Sequence, residues 1–202
     1  MSTVVQRRTF ELPPVDLREV LRYAQASGLD EKTLLECLEE LCGEAEPVIA
    51  SRVCFVESPV RVTNEDVCFE GFAVRSASLC RALSGCASAV LFGATIGLGV
   101  DRLIAKYGRI SPVKALFCQA LGAERIEALC DTFCEALALE NQKRGLRPRP
   151  RFSPGYGDCP LEFQRALFQV LDAPHQIGLS LNESLLMSPT KSVTAIVGLE
   201  SL

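Results

Sequence analysis

Tryptophan is absent from the 202 residues, and histidine occurs once, at His175. One imidazole cannot build a histidine-rich metal site and leaves little room for a Ser-His-Asp triad. Basic charge is not in excess. Against 21 lysines and arginines stand 25 acids, a net charge of −4, so a basic nucleic-acid surface is not expected. The ten cysteines include no Cys-x-x-Cys pair, which weakens zinc-ribbon and thioredoxin-type readings. They sit in apolar runs such as Leu35-Glu36-Cys37-Leu38, the pattern of reduced core thiols in a cytoplasmic protein. Met1 to Pro14 carries two arginines but no apolar stretch, so no signal peptide is expected. No glycine-rich motif follows an early strand, which disfavours a stand-alone small-molecule methyltransferase.

Long hydrophobic runs are also scarce. The 19 residues from Ala82 to Val100 lack charge, and Gly93-x-x-x-Gly97 has the spacing of a membrane-helix packing motif. Only seven of the 19 are Leu, Ile, Val or Phe, and four are Gly. No membrane span is expected. A buried strand over Ala87–Thr95 followed by a glycine turn fits better. The run Gly93 to Gly99 matches neither a dinucleotide nor a P-loop fingerprint, and reads as tight strand-to-helix packing.

The pattern that is present predicts an α+β domain. Asp16, after Pro13-Pro14, can cap a helix running to about Ser27 and stopped by Gly28. Asp30 can cap a second, with Leu34, Leu35, Leu38 and Leu41 on one face and Pro47 at its end. Val, Ile, Phe and Cys enrich 48–56 and 67–75, two strands separated by Thr63-Asn64-Glu65-Asp66. Ser76 to Leu83 reads as a short helix, and Asp101 to Tyr107 as another. Ser111-Pro112 opens the longest helix, to about Gln142. Its apolar stripe is Gly122, Ile126, Leu129, Phe133 and Leu137. Residues 1–46 read as a helical N-terminal part and 47–202 as the sheet-bearing part of one domain.

Three features carry chemistry. Glu124, Glu127, Asp131 and Glu135 form an acidic stripe on the long helix, either a solvated face or a seat for a cation on Glu127 and Asp131. Five cations follow between Lys143 and Arg151. Arg147, Arg149 and Arg151 fall on one side of an extended chain, and a charged linker is the default for such a run. Then comes Arg151-Phe152-Ser153-Pro154-Gly155-Tyr156-Gly157-Asp158-Cys159-Pro160. Pro154-Gly155 fits the centre of a type II turn. Gly157 allows a second close approach of backbone to a ligand. Asp158 and Pro160 open a helix carrying Phe163, Leu167, Val170 and Leu171 inward. An arginine, a tyrosine and bare backbone within ten residues can hold a carboxylate and a flat ring. A purely structural turn competes with that reading. Cys130 and Cys134, one turn apart, read as buried thiols, and His175 as a surface residue.

The same ten residues resemble the Arg-x-x-Pro-Gly-Tyr signature of the C-terminal reactivation domain of cobalamin-dependent methionine synthase. Ile177 to Pro189 and Lys191-Ser192-Val193-Thr194-Ala195 resemble the segments that follow it there, so the match spans 151–198. Residues 158–192 are similar to the free-standing, single-domain relatives. The resemblance implies a twisted, largely antiparallel sheet with flanking helices and a shallow groove for S-adenosylmethionine. It implies Arg151 on the ligand carboxylate, Asp131 near its ammonium with Glu127 beside it, and Tyr156 by the ligand. Ser153, Pro154, Gly155 and Gly157 complete the site, with no catalytic residue and no metal ligand. It implies a cytoplasmic accessory subunit that donates a methyl from S-adenosylmethionine to oxidised, inactive cobalamin on a partner methyltransferase, with flavodoxin or another reductase supplying the electron. An aspartate and a tyrosine that touch the ligand in the family's large version have no counterpart matched here. The alternative is therefore a docking module for a corrinoid protein that does not use S-adenosylmethionine.

Overall fold

The computed structural model describes residues 4–25 and 31–202. The chain begins with strand β1 (Gln6–Thr9), helices α1 (Leu17–Ala24) and α2 (Glu31–Ala45), and a 3-10 turn, Glu46–Val48. Four strands follow: β2 (Arg52–Pro59), β3 (Arg61–Val62), β4 (Asp66–Phe69) and β5 (Phe72–Arg75). Next come α3 (Ala77–Ala82), β6 (Cys86–Thr95), α4 (Leu98–Ile110) and α5 (Pro112–Gln142). The remainder is β7 (Leu146–Pro148), a 3-10 turn Leu161–Phe163, α6 (Gln164–Leu171), α7 (Ala173–Ile177), β8 (Ser180–Leu181), β9 (Met187–Ser188) and β10 (Ser192–Ser201).

The helix starts follow their local signals. Asp16 accepts from the Arg18 and Glu19 amides at 2.9 and 3.3 Å, so α1 begins at Leu17. That helix ends at Ala24, with Gln25 left-handed at φ 51°, short of the expected Ser27. The expected Gly28 stop and Asp30 cap lie outside the described residues. Ser76 caps α3 through the Leu79 amide at 3.1 Å. Ser111 and Pro112 open α5, which runs unbroken through Gly122 and buries the whole predicted stripe.

The main sheet has the order β1-β2-β6-β10-β7, and every neighbouring pair is antiparallel. Its two faces are both covered. Phe55, Phe92, Ala195 and Val197 pack beneath Ile126, Leu129 and Phe133 of α5. Val56, Leu91 and Ile196 pack on the opposite face against Leu79, Leu167 and Leu171 from α3 and α6. Burial on both sides removes the polar alternation from β6, and this is the physical origin of the uncharged stretch at 82–100. Among the described residues no helix is long and apolar enough to cross a membrane. A third cluster joins Val20, Leu38, Leu41, Tyr107, Phe117 and Leu121, where α1, α2, α4 and α5 meet.

Three expectations change. Residues 67–75 are two strands of a hairpin, turned at Glu70-Gly71 with Gly71 at φ +89°. The strand expected at 48–56 starts at Arg52, because Pro47 continues α2 into the 3-10 turn. Part of the expected helical N-terminal region is strand: β1 lies on the sheet edge, paired with β2. The glycine run after β6 is tight packing, as read. A side chain at Gly99 would overlap the Val48 carbonyl, and Gly97 takes φ +80° beside Ala50.

Candidate functional site

The site lies where the chain after α5 runs along the free edge of β10. β7 pairs with β10 at Leu199↔Pro148, Glu200↔Arg147 and Ser201↔Leu146. The Phe152 amide and carbonyl then bond Ile196 reciprocally at 2.9 and 2.8 Å. That anchor buries Phe152 and sets Arg151 and Ser153 on either side of it. The chain turns at once. The Tyr156 amide donates to the Ser153 carbonyl at 3.2 Å, and Gly155 sits at φ +86°, the type II geometry read from Pro154-Gly155. Cys159 closes the loop, donating to the Tyr156 carbonyl at 3.1 Å and accepting from the Gly155 amide at 3.0 Å. Pro154 is buried inside. Tyr156 stands 71% exposed, edge-on to Phe152 with ring centroids 5.7 Å apart.

The charges of the site converge from loop and helix. Glu127 and Asp131 lie one turn apart on α5, and Arg151 reaches both. Its Nη2 pairs with Glu127, and its Nη1 lies 3.3 Å from Asp131 Oδ1. The predicted cation on these two acids is thus the chain's own arginine. It offsets the repulsion between like charges four residues apart. The assumed division, Arg151 for one ligand charge and Asp131 for the other, starts from residues paired with each other. Arg151 Nη1 is buried and makes no hydrogen bond. Asp131 is the open end of the cluster, its side chain 68% exposed against 42% for Glu127. Beneath them burial pushes the Cys130 thiol up to about 12 and raises that of Cys134; Cys130 is a buried core thiol, and Cys134, expected to be buried, is half-buried at the edge of the core. All ten cysteines are free.

Five residues behave differently from the sequence reading. Glu124 leaves the acidic stripe. It is buried, accepts from Arg125 through both oxygens at 2.5 Å, and takes the Asp16 amide at 3.2 Å. Arg125 also bonds the Pro13 and Pro14 carbonyls at 2.6 and 3.3 Å, so this pair fastens the N-terminal segment to α5. Arg147 and Arg149 belong to an edge strand and its extension, not a linker. Both reach Glu200, at 2.8 and 3.3 Å. Arg151, past Pro150, turns to α5 instead, so the three arginines do not act on one side.

Asp158 shows the largest departure. It does not open the helix that follows. Its Oδ1 accepts from Ser76 Oγ at 2.8 Å and the Ser78 amide at 2.9 Å, and its Oδ2 from the Ala77 amide at 2.7 Å. It therefore caps α3, far away in sequence. The Ser78 amide, the Ser76 hydroxyl and the Ala77 amide together hold its carboxyl well below the usual carboxylate range. Gly157, at φ +61°, packs against the same helix: a side chain there would come within 2.6 Å of Ser78 Oγ. Its positive φ and this close approach account for the glycine. Ser76 and Ser78 were missed as parts of the site. Their composition marks a helix start, but nothing local says which loop docks there.

Elsewhere, a cleft of about 820 Å³ opens between the N-terminal segment, α2 and α5, lined by Leu12, Pro14, Leu17, Cys42, Ile49 and Leu121 among others. It contains none of the predicted site residues. His175 is exposed, 2.6 Å from Asp172.

Comparison with known proteins bears on this region directly. Residues 135–200 match the family described as vitamin B12 dependent methionine synthase, activation domain. The match begins in the last turns of α5 and includes the Arg151 loop, with Glu127 and Asp131 just before it. The chain is also similar to a solved structure, the MetH reactivation domain bound to AdoHcy. The TM-score is 0.70 at 16% identity, over 96% of this chain and 78% of that one. At that identity the likeness shows the fold. No curated protein matches the chain.

Proposed function

We propose that this chain is a free-standing counterpart of the activation domain of vitamin B12 dependent methionine synthase, and that it binds S-adenosylmethionine between α5 and the 151–159 loop. The match over 135–200 and the shared fold support this reading, as does AdoHcy, the demethylated form of the ligand, in the similar structure. The observation that carries it is the buried, unbonded Nη1 of Arg151. That nitrogen has Asp131 Oδ1 at 3.3 Å as an ion-pair partner but no aligned hydrogen bond, and a buried donor left so is under-satisfied. If Arg151 turns from the two acids, a ligand carboxylate supplies a better-aligned acceptor, and the ligand ammonium takes the arginine's place at Asp131, the more exposed acid. Tyr156 offers a bare aromatic face to the adenosyl portion.

In this reading the chain contributes binding and aim. Cobalamin arrives on a partner methyltransferase module and supplies the nucleophilic metal chemistry. Arg151 and Asp131 fix the amino-acid end of the ligand at two points, and Tyr156 fixes the other end. The sulfonium methyl between them is thereby held in one orientation. No proton has to be moved by this protein. The setting is cytoplasmic, with flavodoxin or another reductase as electron donor.

One observation favours the alternative, a docking module that does not use S-adenosylmethionine. The Arg151 charge is already neutralised by Glu127 and Asp131. Isothermal titration with S-adenosylmethionine and S-adenosylhomocysteine separates the two. Saturable binding, lost in Arg151→Ala, supports the methyl-donor reading. Absence of binding to either at millimolar concentration leaves the docking module.

A further inference from the structure

The site is held from a direction that its ligand does not touch. Besides the buried Pro154 and Cys159 and the bonds of its own turns, the loop carrying Tyr156 is hydrogen-bonded to two other elements. One is β10, through the Phe152–Ile196 bonds. The other is α3, whose first turn takes both oxygens of Asp158. Between these anchors lie only Ser153, Pro154, Gly155, Tyr156 and Gly157. Two of those five are glycines at positive φ, so this stretch has little stiffness of its own. Tyr156 adds little, since its ring is largely exposed and touches Phe152 only edge-on.

We propose that Asp158 is the positioning residue of the ligand loop, clamping it to α3 so that Tyr156 and the Gly155 turn are pre-formed before a ligand arrives. The clamp suits that task chemically. A carboxylate at a helix N-terminus meets free amides and the positive end of the helix dipole, and here it receives two amides and a hydroxyl at 2.7–2.9 Å. With those partners taken, Asp158 acts through the loop rather than on the ligand. Gly157 lies flat against Ser78, which lets the carboxylate approach. Removing the clamp leaves the loop held by Phe152, by the buried Pro154 and Cys159 and by its own turn bonds, without its tie to α3, and the looser Tyr156 tip is then ordered at the expense of ligand affinity. By linkage, a ligand that orders the loop also stabilises α3.

The role rests on the proposed S-adenosylmethionine site, but the experiment reads the clamp and the ligand separately. Amide hydrogen exchange and titration with S-adenosylhomocysteine are compared in the wild type, Asp158→Asn and Asp158→Ala. Asn retains one acceptor oxygen and is itself a good cap, so it should rescue part of the loss. In Asp158→Ala the Gly155 and Cys159 amides should exchange at least tenfold faster, while those of Val90 to Phe92 in β6 stay unchanged. Ligand affinity should fall about tenfold, with Asp158→Asn between the two. Unchanged exchange at Gly155 and Cys159 in Asp158→Ala overturns the clamp whatever the ligand does. Faster exchange with affinity within twofold of wild type overturns the positioning role. If the wild type itself binds no S-adenosylhomocysteine, the positioning role falls together with the ligand reading, and the exchange comparison still decides whether the clamp exists.

Discussion

Arg151 is the residue on which most depends. Charge-assisted hydrogen bonds contribute about 1.5–3 kcal/mol, so Arg151→Ala should weaken S-adenosylmethionine binding by roughly 10- to 150-fold, measured by titration calorimetry. Asp131→Asn should weaken it too if the acid meets the ligand ammonium. Tighter binding in that variant would mean that Asp131 only shields Arg151. Tyr156→Phe should change little, whereas Tyr156→Ala should cost about tenfold if the ring supports the ligand by stacking. Arg151 and Tyr156 were legible because a short motif names them. The pairing of Arg151 with Glu127 was not. Helical spacing put Glu124, Glu127 and Asp131 on one stripe, but spacing does not reveal what packs over each turn. The N-terminal segment covers Glu124, and the Arg151 side chain pairs with the other two.

At the scale of elements, backbone signals read best where one residue decides. Asp16, Ser76 and Ser111 start their helices where expected, since each is an acceptor placed just before a helical run. The 67–75 hairpin looks like one strand in sequence because its flanks, Val67-Cys68-Phe69 and Phe72-Ala73-Val74, make the apolar run continuous across Glu70-Gly71. β7 was hidden by its charge. Arginines normally mark a linker, yet Arg147 faces Glu200 across the sheet edge, so the strand is satisfied electrostatically. The two neighbouring arginines should then separate on mutation. Arg147→Ala should leave thermal stability nearly unchanged, as exposed pairs contribute at most about 1 kcal/mol. Arg149→Ala should cost more, because part of that side chain is buried. Ligand affinity should stay within about threefold in both variants. A sharper test of packing is Gly99→Ala, which drives a methyl into the Val48 carbonyl. We expect a loss of roughly 1–3 kcal/mol in urea unfolding.

The whole molecule carries two further predictions. All ten cysteines should alkylate when the protein is denatured without reductant, giving ten labels by mass spectrometry. In the folded protein at pH 8 labelling of Cys54, Cys118 and Cys130 should be slow, because burial lifts Cys54 and Cys118 to about 11 and Cys130 to about 12. Acid should unfold the protein by an identifiable route. Asp158, Glu44, Glu57 and Glu200 all have carboxyls held below their ordinary values, chiefly by the Ser78 amide, Lys106, Arg144 and Arg147 respectively. Their contribution is complete above the unfolded carboxylate range, about pH 4–5. It is lost as pH falls through the lower folded values. Urea midpoints should therefore show no loss from these groups between pH 7 and 5 and decline below pH 4.

The sheet order also says something about how the molecule comes into being. β10, formed by residues 192–201, lies between β6 and β7, so a strand near the interior is supplied after nearly every other described element has been synthesised. Until then β2 and β6 can pair, but β6 presents a long, uncharged and largely apolar edge with no neighbour. Such an edge is a template for pairing with another nascent chain. Closing it requires contacts between distant parts of the chain, which form slowly. The same closing strand anchors Phe152, and with it the arginine loop. A chain in which β10 has not yet paired therefore lacks the edge on which the candidate site is built.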